Sequence, residues 1–317
     1  MVCKKIRQNF VFGCLIILAT FAPAFPQKQN SIDIPTFLRE AKQRSDESLR
    51  TMMREQVNYT YKWRKVWREA KKNGETEEKS ELYEIFIPKN CRSLKKCRSS
   101  WVLLATNGKS LAPEKIEKQR IKAGKQLEKM ERKSESLTKA TTTAQSNWIR
   151  FAYFISVPSS RERKIIVKID EQEILEKCDF FAPVIEMING REMIALSFRP
   201  RSDATFGEET KYTPNIEGKV WIDAADKVFV RLAMWEKGKQ FESQTSDYLL
   251  ENAALAYDST RTKEGFWFFR LGRINGLKNP NLFTEMKGDF SIEHFDHHYF
   301  KTEIKSVEID NPTEKKR

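Results

Sequence analysis

The chain has 317 residues, of which 39% are hydrophobic and 32% charged, which is enough apolar material for the core of one large or two small domains. This composition excludes a disordered polyelectrolyte, and 12 glycines with 11 prolines exclude a collagen-like or low-complexity chain. Apart from one N-terminal stretch, no segment is apolar over the roughly 18 residues that a membrane-spanning helix needs, which excludes a multispan transporter. A net charge of +13 indicates a basic surface suited to anionic partners.

Residues 1–24 have the pattern of a secretory signal peptide. Three basic residues are followed by an apolar run over 10–21 and by small residues at 22–24, where cleavage is expected. An uncleaved anchor and a buried core helix are the alternatives, and the short run and the prolines that follow it disfavour both. Lipid modification is disfavoured because Cys14 lies inside the run. We therefore predict an exported protein, with 25–34 as a flexible tail and anionic lipids or wall polymers, not nucleic acid, as its charged partners.

Three cysteines remain after such a cleavage, in a compartment that permits disulfides. Cys91 and Cys97 are six residues apart, a spacing that a hairpin loop can close, so a local disulfide is favoured over two free thiols. Cys178 is then the odd cysteine, and a small buried apolar side chain is the simplest interpretation.

The first predicted elements are a helix and an aromatic strand. Apolar residues at helical spacing predict a helix over 35–56, with a possible break near Ser45. From 57 to 68 the period changes to two, which is typical of a half-buried strand with one aromatic and one basic face. We place Arg64, Lys65 and Arg68 on the basic outer side. Asn-Gly at 73–74 predicts a type I′ turn, because that turn needs positive φ at both central residues.

Two short strands follow, one over 82–87 and one over 101–105, the second ending at the Asn-Gly pair 107–108. Residues 110–146 then form a charged insertion, in which Pro113 starts a helix with a thin apolar stripe among Lys, Arg and Glu. A solvated helix without a partner is the simpler interpretation, and a docking surface for an acidic partner or a membrane is the other.

The second half of the chain is rich in strand signals. The aromatic segment 147–158 fits neither the strand nor the helix period, and a capping-box pattern at 170–173 predicts a short helix. Strands are predicted over 184–188, 193–198, 219–223, 227–235, 241–248, 266–274, 282–286, 290–295 and 299–307, several of them joined by Asn-Gly turns. About ten strands with few helices predict an α+β, mainly β domain over 35–309, built on one large curved antiparallel sheet, a half-barrel. Residues 310–317 are expected to be a disordered tail.

Four groups of segments in this order resemble the outer-membrane lipoprotein-sorting proteins of the LolA/LolB-like superfamily. The likeness lies in 59–63, 107–114, 173–180 with 189–191, and 218–223 with Arg231, and it extends to 273–276. It is greatest for a branch of large exported members from acidobacterial-type envelopes. The resemblance implies a half-barrel whose apolar concave face holds acyl chains, with helices across the opening and a periplasmic location in a Gram-negative-type envelope.

The aromatic stripe has two interpretations that overlap. It can be core that packs the sheet against the N-terminal helix, or it can line a cavity, because each buried methylene contributes about 0.8 kcal/mol. The residues that we assign to the ligand cavity are Tyr59, Tyr61, Trp63, Trp67, Tyr83, Ile85 and Trp221.

Catalytic motifs are missing from the sequence. It contains no Gly-x-Ser-x-Gly, no phosphate-binding glycine loop and no His-Glu-x-x-His, and it gives no indication of a cofactor. His294, Asp296 and His298 would share one face of a regular strand and are weak zinc candidates, although a polar outer face is the simpler interpretation. We interpret Asp223 and Asp226 as turn-forming residues whose side chains accept hydrogen bonds from nearby backbone amides.

We therefore expect a monomeric, non-enzymatic periplasmic protein that shelters a lipid or lipoprotein acyl chain and is steered by its basic face and the 115–133 helix to anionic membranes. The alternatives are an envelope stress-sensing or protein-interaction module on the same fold, which would use an exposed sheet edge, and a metal-dependent hydrolase.

Overall fold

A computed structural model of the chain describes residues 32–87, 99–137, 171–206, 215–239, 244–279 and 288–299, together with Phe241 and Leu282. Several predictions lie outside these residues: the signal peptide, the Cys91–Cys97 disulfide, the aromatic segment 147–158, and the strands over 283–286 and beyond 299. They stay predictions.

The described chain has four α-helices: α1 (Ile34–Glu55), α2 (Pro113–Leu137), α3 (Glu171–Lys177) and α4 (Ser246–Asn252). Proline in the first turn starts both long helices, since its missing N–H has no partner there in any case. The predicted break of α1 near Ser45 is wrong: the helix is continuous, and Ser45 is buried, where its Oγ accepts a hydrogen bond from the Phe229 N–H at 2.9 Å. Among the described residues, none of the helices has the length and apolarity to cross a membrane.

Eleven strands occur in the described part of the chain. They are β1 (Tyr59–Ala70), β2 (Thr76–Phe86), β3 (Ser100–Thr106), β4 (Lys109–Ser110), β5 (Cys178–Ile188), β6 (Arg191–Pro200), β7 (Ile216–Asp223), β8 (Phe229–Glu236), β9 (Leu255–Arg261), β10 (Trp267–Asn275) and β11 (Gly288–Tyr299). All belong to one sheet with the order β4-β3-β2-β1-β11-β10-β9-β8-β7-β6-β5, and every neighbouring pair is antiparallel. Because β4 and β5 do not pair, the sheet is open, and the predicted mainly β fold with one large antiparallel sheet is confirmed.

One predicted strand, over 241–248, is wrong. The described residues of this range are not in a strand: 246–248 form the first turn of α4, which is capped by the Thr245 side chain, whose Oγ1 accepts from the Tyr248 N–H. Leu249 and Leu250 are buried beneath α4 against the sheet, so burial favours the helix. The strand that follows α4, β9, had no sequence prediction, because its small and polar residues lack a clear apolar alternation.

The Asn-Gly pairs differ from one another in geometry. At Asn107-Gly108 φ is 50° and 74°, and at Asn189-Gly190 it is 51° and 75°, as a type I′ turn requires. At 73–74 only Gly74 has positive φ, and the loop between β1 and β2 is five residues long, so the turn is correctly located but its predicted type is wrong.

Strand register divides the side chains between two faces of the sheet, because residues paired across an antiparallel ladder lie on the same side. The front face carries Tyr61, Trp63, Lys65 and Trp67 of β1 with their partners in β2, β3 and β11, and it continues through Tyr257, Leu232 and Val220. The back face carries Trp221, Ala233 and Ala256, which pack with Trp235 beneath Leu249, Leu250 and Ala253 of α4. One buried core of the C-terminal strands therefore lies between the back face and α4.

Candidate functional site on the front face

The front face of β1, β2, β3 and β11 is an aromatic surface. Register pairs Trp63 with Tyr83 on one side and with His294 on the other, and their ring centroids lie 6.0 and 5.7 Å apart. Tyr83 in turn packs against Trp101 at 5.0 Å, and Trp101 is 51% exposed. We call Tyr61, Trp63, Tyr83, Trp101 and His294 the aromatic cluster.

Lys65 lies inside this surface and not on the outer side of the sheet, where we had predicted it. Its Nζ is 4.2 Å from the centroid of Trp63, 5.5 Å from Tyr83 and 5.7 Å from Trp101, which are distances of cation–π contacts. Burial lowers the pKa of the Lys65 ammonium, and the nearby Glu81 carboxylate opposes that shift. The site thus combines an apolar wall with one poorly hydrated cation.

Two polar atoms on this side of the sheet are buried without a hydrogen-bond partner among the described residues. They are Nε1 of Trp63 and Nε2 of His297. The Trp63 ring packs against His294, and the His297 ring packs against Tyr61. An unpaired buried donor costs roughly 1 to 3 kcal/mol, so native proteins rarely leave one without a partner. The aromatic cluster therefore has unused hydrogen-bonding capacity next to the Lys65 ammonium.

The three histidines do not form the set that a regular strand would give. β11 carries a bulge at Asp296, where φ is 56°, and the register shifts between Thr60 and Lys62 of β1. His294 stays with Tyr61 at 4.9 Å, whereas Asp296 pairs with Lys62 of the back face at 2.6 Å and with His298 at 2.8 Å. The geometric basis of the zinc hypothesis, three side chains on one face, is wrong, and no cluster of three metal-binding side chains occurs among the described residues.

His294 is the most strongly perturbed of these histidines. Burial among rings lowers its pKa to about 3, with a smaller contribution from His297. It is therefore neutral at physiological pH, and it functions in the aromatic cluster as an uncharged flat side chain.

A second feature of the front face is an apolar pocket beneath α3. Its lining residues are Ile174 and Leu175 of α3, together with Phe180, Val220, Phe229, Arg231, Leu232 and Tyr257. The volume open to the centre of a water molecule is about 20 Å³, little more than one water needs. An acyl chain would fit there only if α3 moved.

The predicted lining residues are thus divided by the structure. Tyr61, Trp63, Trp67, Tyr83 and Ile85 share the front face, as the alternation predicted, but Tyr83 and Ile85 are 7% and 1% exposed and are core residues. Tyr59 is 2% exposed, and its hydroxyl donates to Glu264 at 2.9 Å, so it is a fixed core residue.

Trp221 is on the other side of the sheet. Its indole is fully buried beneath α4, and its Nε1 donates to Glu186 at 2.9 Å. The prediction that it lines the same cavity is wrong, because register places it on the back face.

The predicted basic outer side of β1 is largely neutralised. Arg68 pairs with Glu78 at 2.7 Å and Arg64 with Glu293 at 3.5 Å, both across neighbouring strands. These ion pairs leave little free positive charge on the back face of β1.

Two minor predictions are met in the described structure. The Asp223 carboxylate accepts from the Ala225 and Asp226 N–H groups at 3.1 and 2.7 Å, which is the turn role that we expected. The same expectation for the Asp226 side chain is wrong, because its carboxylate accepts from Arg261 Nε and Trp267 Nε1, both at 2.8 Å. Cys178 is buried, and desolvation raises the pKa of its thiol to about 12, so it is an inert apolar side chain.

Lys65 and Trp101 are the site residues that sequence reasoning missed. Lys65 occupies an odd position in the same alternation as Trp63, so the period alone places it on the aromatic face; its charge led us to assign it outward. Trp101 required knowledge of the β2–β3 register, in which it pairs with Ile85.

No protein family profile and no curated protein matches the chain. Among solved structures, the chain is similar to an outer membrane lipoprotein-sorting protein domain from Vibrio parahaemolyticus, with 8% identity and a TM-score of 0.32 over 86% of this chain and 94% of that one. A DUF1329 family protein from Desulfovibrio piger gives 10% identity and a TM-score of 0.31 over 82% and 93% of the two chains. A LolA superfamily protein from Nitrosomonas europaea has 7% identity and a TM-score of 0.29 over 83% of this chain and 93% of that one. At these TM-scores the similarity carries no functional argument, and the geometry of the front face has to supply it.

Proposed function

We propose that the protein is a non-enzymatic, exported periplasmic binding protein that holds an acyl chain of a lipid or lipoprotein against the front face of its open sheet. The observation that carries this proposal is the aromatic cluster, in which Trp101 is 51% exposed and Nε1 of Trp63 lacks a partner among the described residues. The resemblance of the sequence to lipoprotein-sorting proteins supports it independently.

The hydrophobic effect supplies enough affinity for such a carrier. Burial of about ten methylene groups at about 0.8 kcal/mol each gives a gross gain of roughly 8 kcal/mol, which corresponds to micromolar binding before ordering costs are subtracted. An anionic ligand head group would also be attracted by the Lys65 ammonium, which lies against the rings of Trp63 and Trp101.

Titration with a 16-carbon fatty acid, followed by native mass spectrometry, tests this proposal. We expect one bound chain, and we expect Trp101→Asp to weaken binding at least about tenfold, because it places a charge where the chain is buried. Tyr248→Asp is the matched control, since Tyr248 is 42% exposed on α4 at the back of the sheet. No binding by the wild-type protein, or equal loss in both variants, would contradict the proposal.

A second candidate function is protein interaction, and the edge strand β5 favours it. Among the described residues no strand pairs with its outer side, and Val184, Ile185 and Met187 are 49%, 62% and 68% exposed. An extended peptide could add to this edge and cover these side chains. A crosslinked partner that is lost in Ile185→Lys but kept in Trp101→Asp would support this function; binding unchanged in Ile185→Lys would exclude β5 as the interface.

A further inference from the structure

The charged helix α2 has two chemically distinct faces. Its inner face packs on β3 through Ala123, which is 5% exposed, and through Gln119, whose Oε1 accepts from the Leu103 N–H at 2.9 Å. Arg120 adds a two-nitrogen contact to Glu84 at 3.0 and 3.1 Å. Because Glu84 belongs to the back face, these contacts fix α2 there, and its opposite side is turned to solvent.

The solvent side carries a continuous row of cations. Successive members of this row are alternately three and four residues apart, which places their side chains on one side of the helix. We call this row the basic stripe, and its members, all exposed, are Lys115, Lys118, Lys122, Lys125, Lys129 and Arg132. At 1.5 Å per residue the stripe is roughly 25 Å long.

The basic stripe is almost free of internal neutralisation. Among the described residues, its one ion pair joins Arg132 to Glu128 at 3.9 Å, between side chains that are 82% and 68% exposed. By contrast, Lys62, Arg64 and Arg68 of β1 each have a carboxylate partner within 3.5 Å. The free positive potential of the back face is therefore concentrated along α2.

An exposed apolar side chain borders the stripe. Ile121 is 53% exposed and lies one helical turn from both Lys118 and Lys125. A helix with a row of cations beside an apolar residue suits the boundary between lipid head groups and acyl chains, where cations meet phosphates and the apolar side chain can insert. A nucleic acid would use the cations alone, and the described stripe offers no aromatic ring on which a base could stack.

We propose that the basic stripe of α2 with Ile121 is a docking surface for an anionic lipid bilayer. The helix lies along the membrane surface, with the lysines at the phosphates and Ile121 between head groups. Since the aromatic cluster is on the opposite face of the sheet, a bound membrane leaves it open. This interaction is separate from acyl-chain binding and does not depend on it.

Co-sedimentation of the full chain with vesicles tests the docking surface. We expect binding to vesicles that contain 30% phosphatidylglycerol, little binding to pure phosphatidylcholine, and loss of binding as salt is raised. Lys118→Gln, Lys122→Gln, Lys125→Gln and Lys129→Gln together should weaken binding at least about 100-fold, because each cation near an anionic surface contributes about tenfold or slightly less. Glutamine has a similar helix propensity to lysine, so α2 should persist, which circular dichroism checks.

A matched control variant distinguishes the effect of charge on α2 from the effect of the total charge of the protein. Lys71, Lys72, Lys237 and Lys263 are exposed lysines outside α2, and their replacement by Gln removes the same four charges. This control should bind within about threefold of wild type, and Ile121→Ser should weaken binding several-fold at constant charge. Equal loss in both lysine variants would overturn the proposal. The proposal would also be overturned if Ile121→Ser had no effect on vesicle binding and the protein bound duplex DNA equally tightly through α2. The surface would then be a general polyanion site.

Discussion

At the scale of single residues, the front face shows how burial changes ionisable groups. Lys65 and His294 both lie among aromatic rings, and desolvation lowers the pKa of each because the charged form loses water that the rings replace poorly. A lysine and a histidine that would be routine surface residues on a polar strand thus become part of an apolar wall.

We predict that His294 makes the fold sensitive to mild acid. Its pKa is about 3 in the folded chain against 6.5 unfolded, so between these values the unfolded state binds more protons. The free energy of unfolding is unaffected above pH 6.5 and falls as pH decreases toward 3, by an amount on the order of a few kcal/mol. In His294→Phe this part of the loss should disappear, which urea unfolding at pH 7, 5.5 and 4 measures.

His298→Phe is the control for this prediction, because the His298 side chain is 64% exposed and lies with Asp296 away from the cluster. The explanation fails if the stability difference between His294→Phe and wild type is the same at all three pH values.

At the scale of elements, close contacts between strands depend on glycine at particular points. A Cβ at Gly218 of β7 would lie 2.5 Å from the Phe198 ring and 2.6 Å from the Ala233 carbonyl oxygen. Because glycine has no Cβ, the Phe198 ring of β6 and the Ala233 backbone of β8 can lie close to β7 at this position. In α2, Gly124 has no neighbour within 4 Å of such an atom, so it brings only the entropic cost of glycine in a helix.

Alanine at these two glycines should therefore have opposite effects. Gly218→Ala should lower the free energy of unfolding by about 2 kcal/mol or more, because the ring or the strand has to shift. Gly124→Ala should raise it by about 0.5 to 1 kcal/mol. Thermal unfolding of both variants under one condition compares them; a stabilising Gly218→Ala would show that the sheet relaxes without cost.

At the scale of the whole molecule, an ion network centred on the buried Arg231–Asp258 pair joins four successive elements of the chain. Arg231 of β8 is 4% exposed and donates to Asp258 of β9 at 2.9 Å and to Asp247 of α4 at 3.0 Å. Arg270 of β10 donates to the same Asp258 carboxylate. The network fixes α4 to the back face, so its integrity is a property of the tertiary fold.

Removal of one charge from this network should be costly. Asp258→Asn removes the buried carboxylate beside Arg231 and leaves only that of Asp247, which is 86% exposed, and we expect a loss of about 3 kcal/mol of stability. Glu78→Gln, which breaks the exposed pair with Arg68, should cost less than about 1 kcal/mol. Chemical denaturation of the two variants provides the measurement, and equal losses would mean that Asp258 is not stabilising Arg231.

The sequence by itself determined the local elements and their alternation. The period-two pattern placed Tyr61, Trp63 and Trp67 on one face, proline marked the starts of α1 and α2, and two Asn-Gly pairs formed the type I′ turns that their tolerance of positive φ predicts. The number of strands and the tight turns between them predicted an antiparallel sheet, and the scarcity of helices to cover it predicted that the sheet is large and curved.

Only the tertiary structure decided which strands share a face and what covers it. Register placed Trp221 on the back face and Trp101 beside Tyr83, a single-residue bulge at Asp296 divided the histidines, and burial of Leu249 and Leu250 favoured α4 where a strand had been predicted up to residue 248. The physical reason is that side chains alternate between the two faces of any strand, whatever its neighbours are. Which face of the sheet covers its apolar residues is set by pairings between residues far apart in the chain.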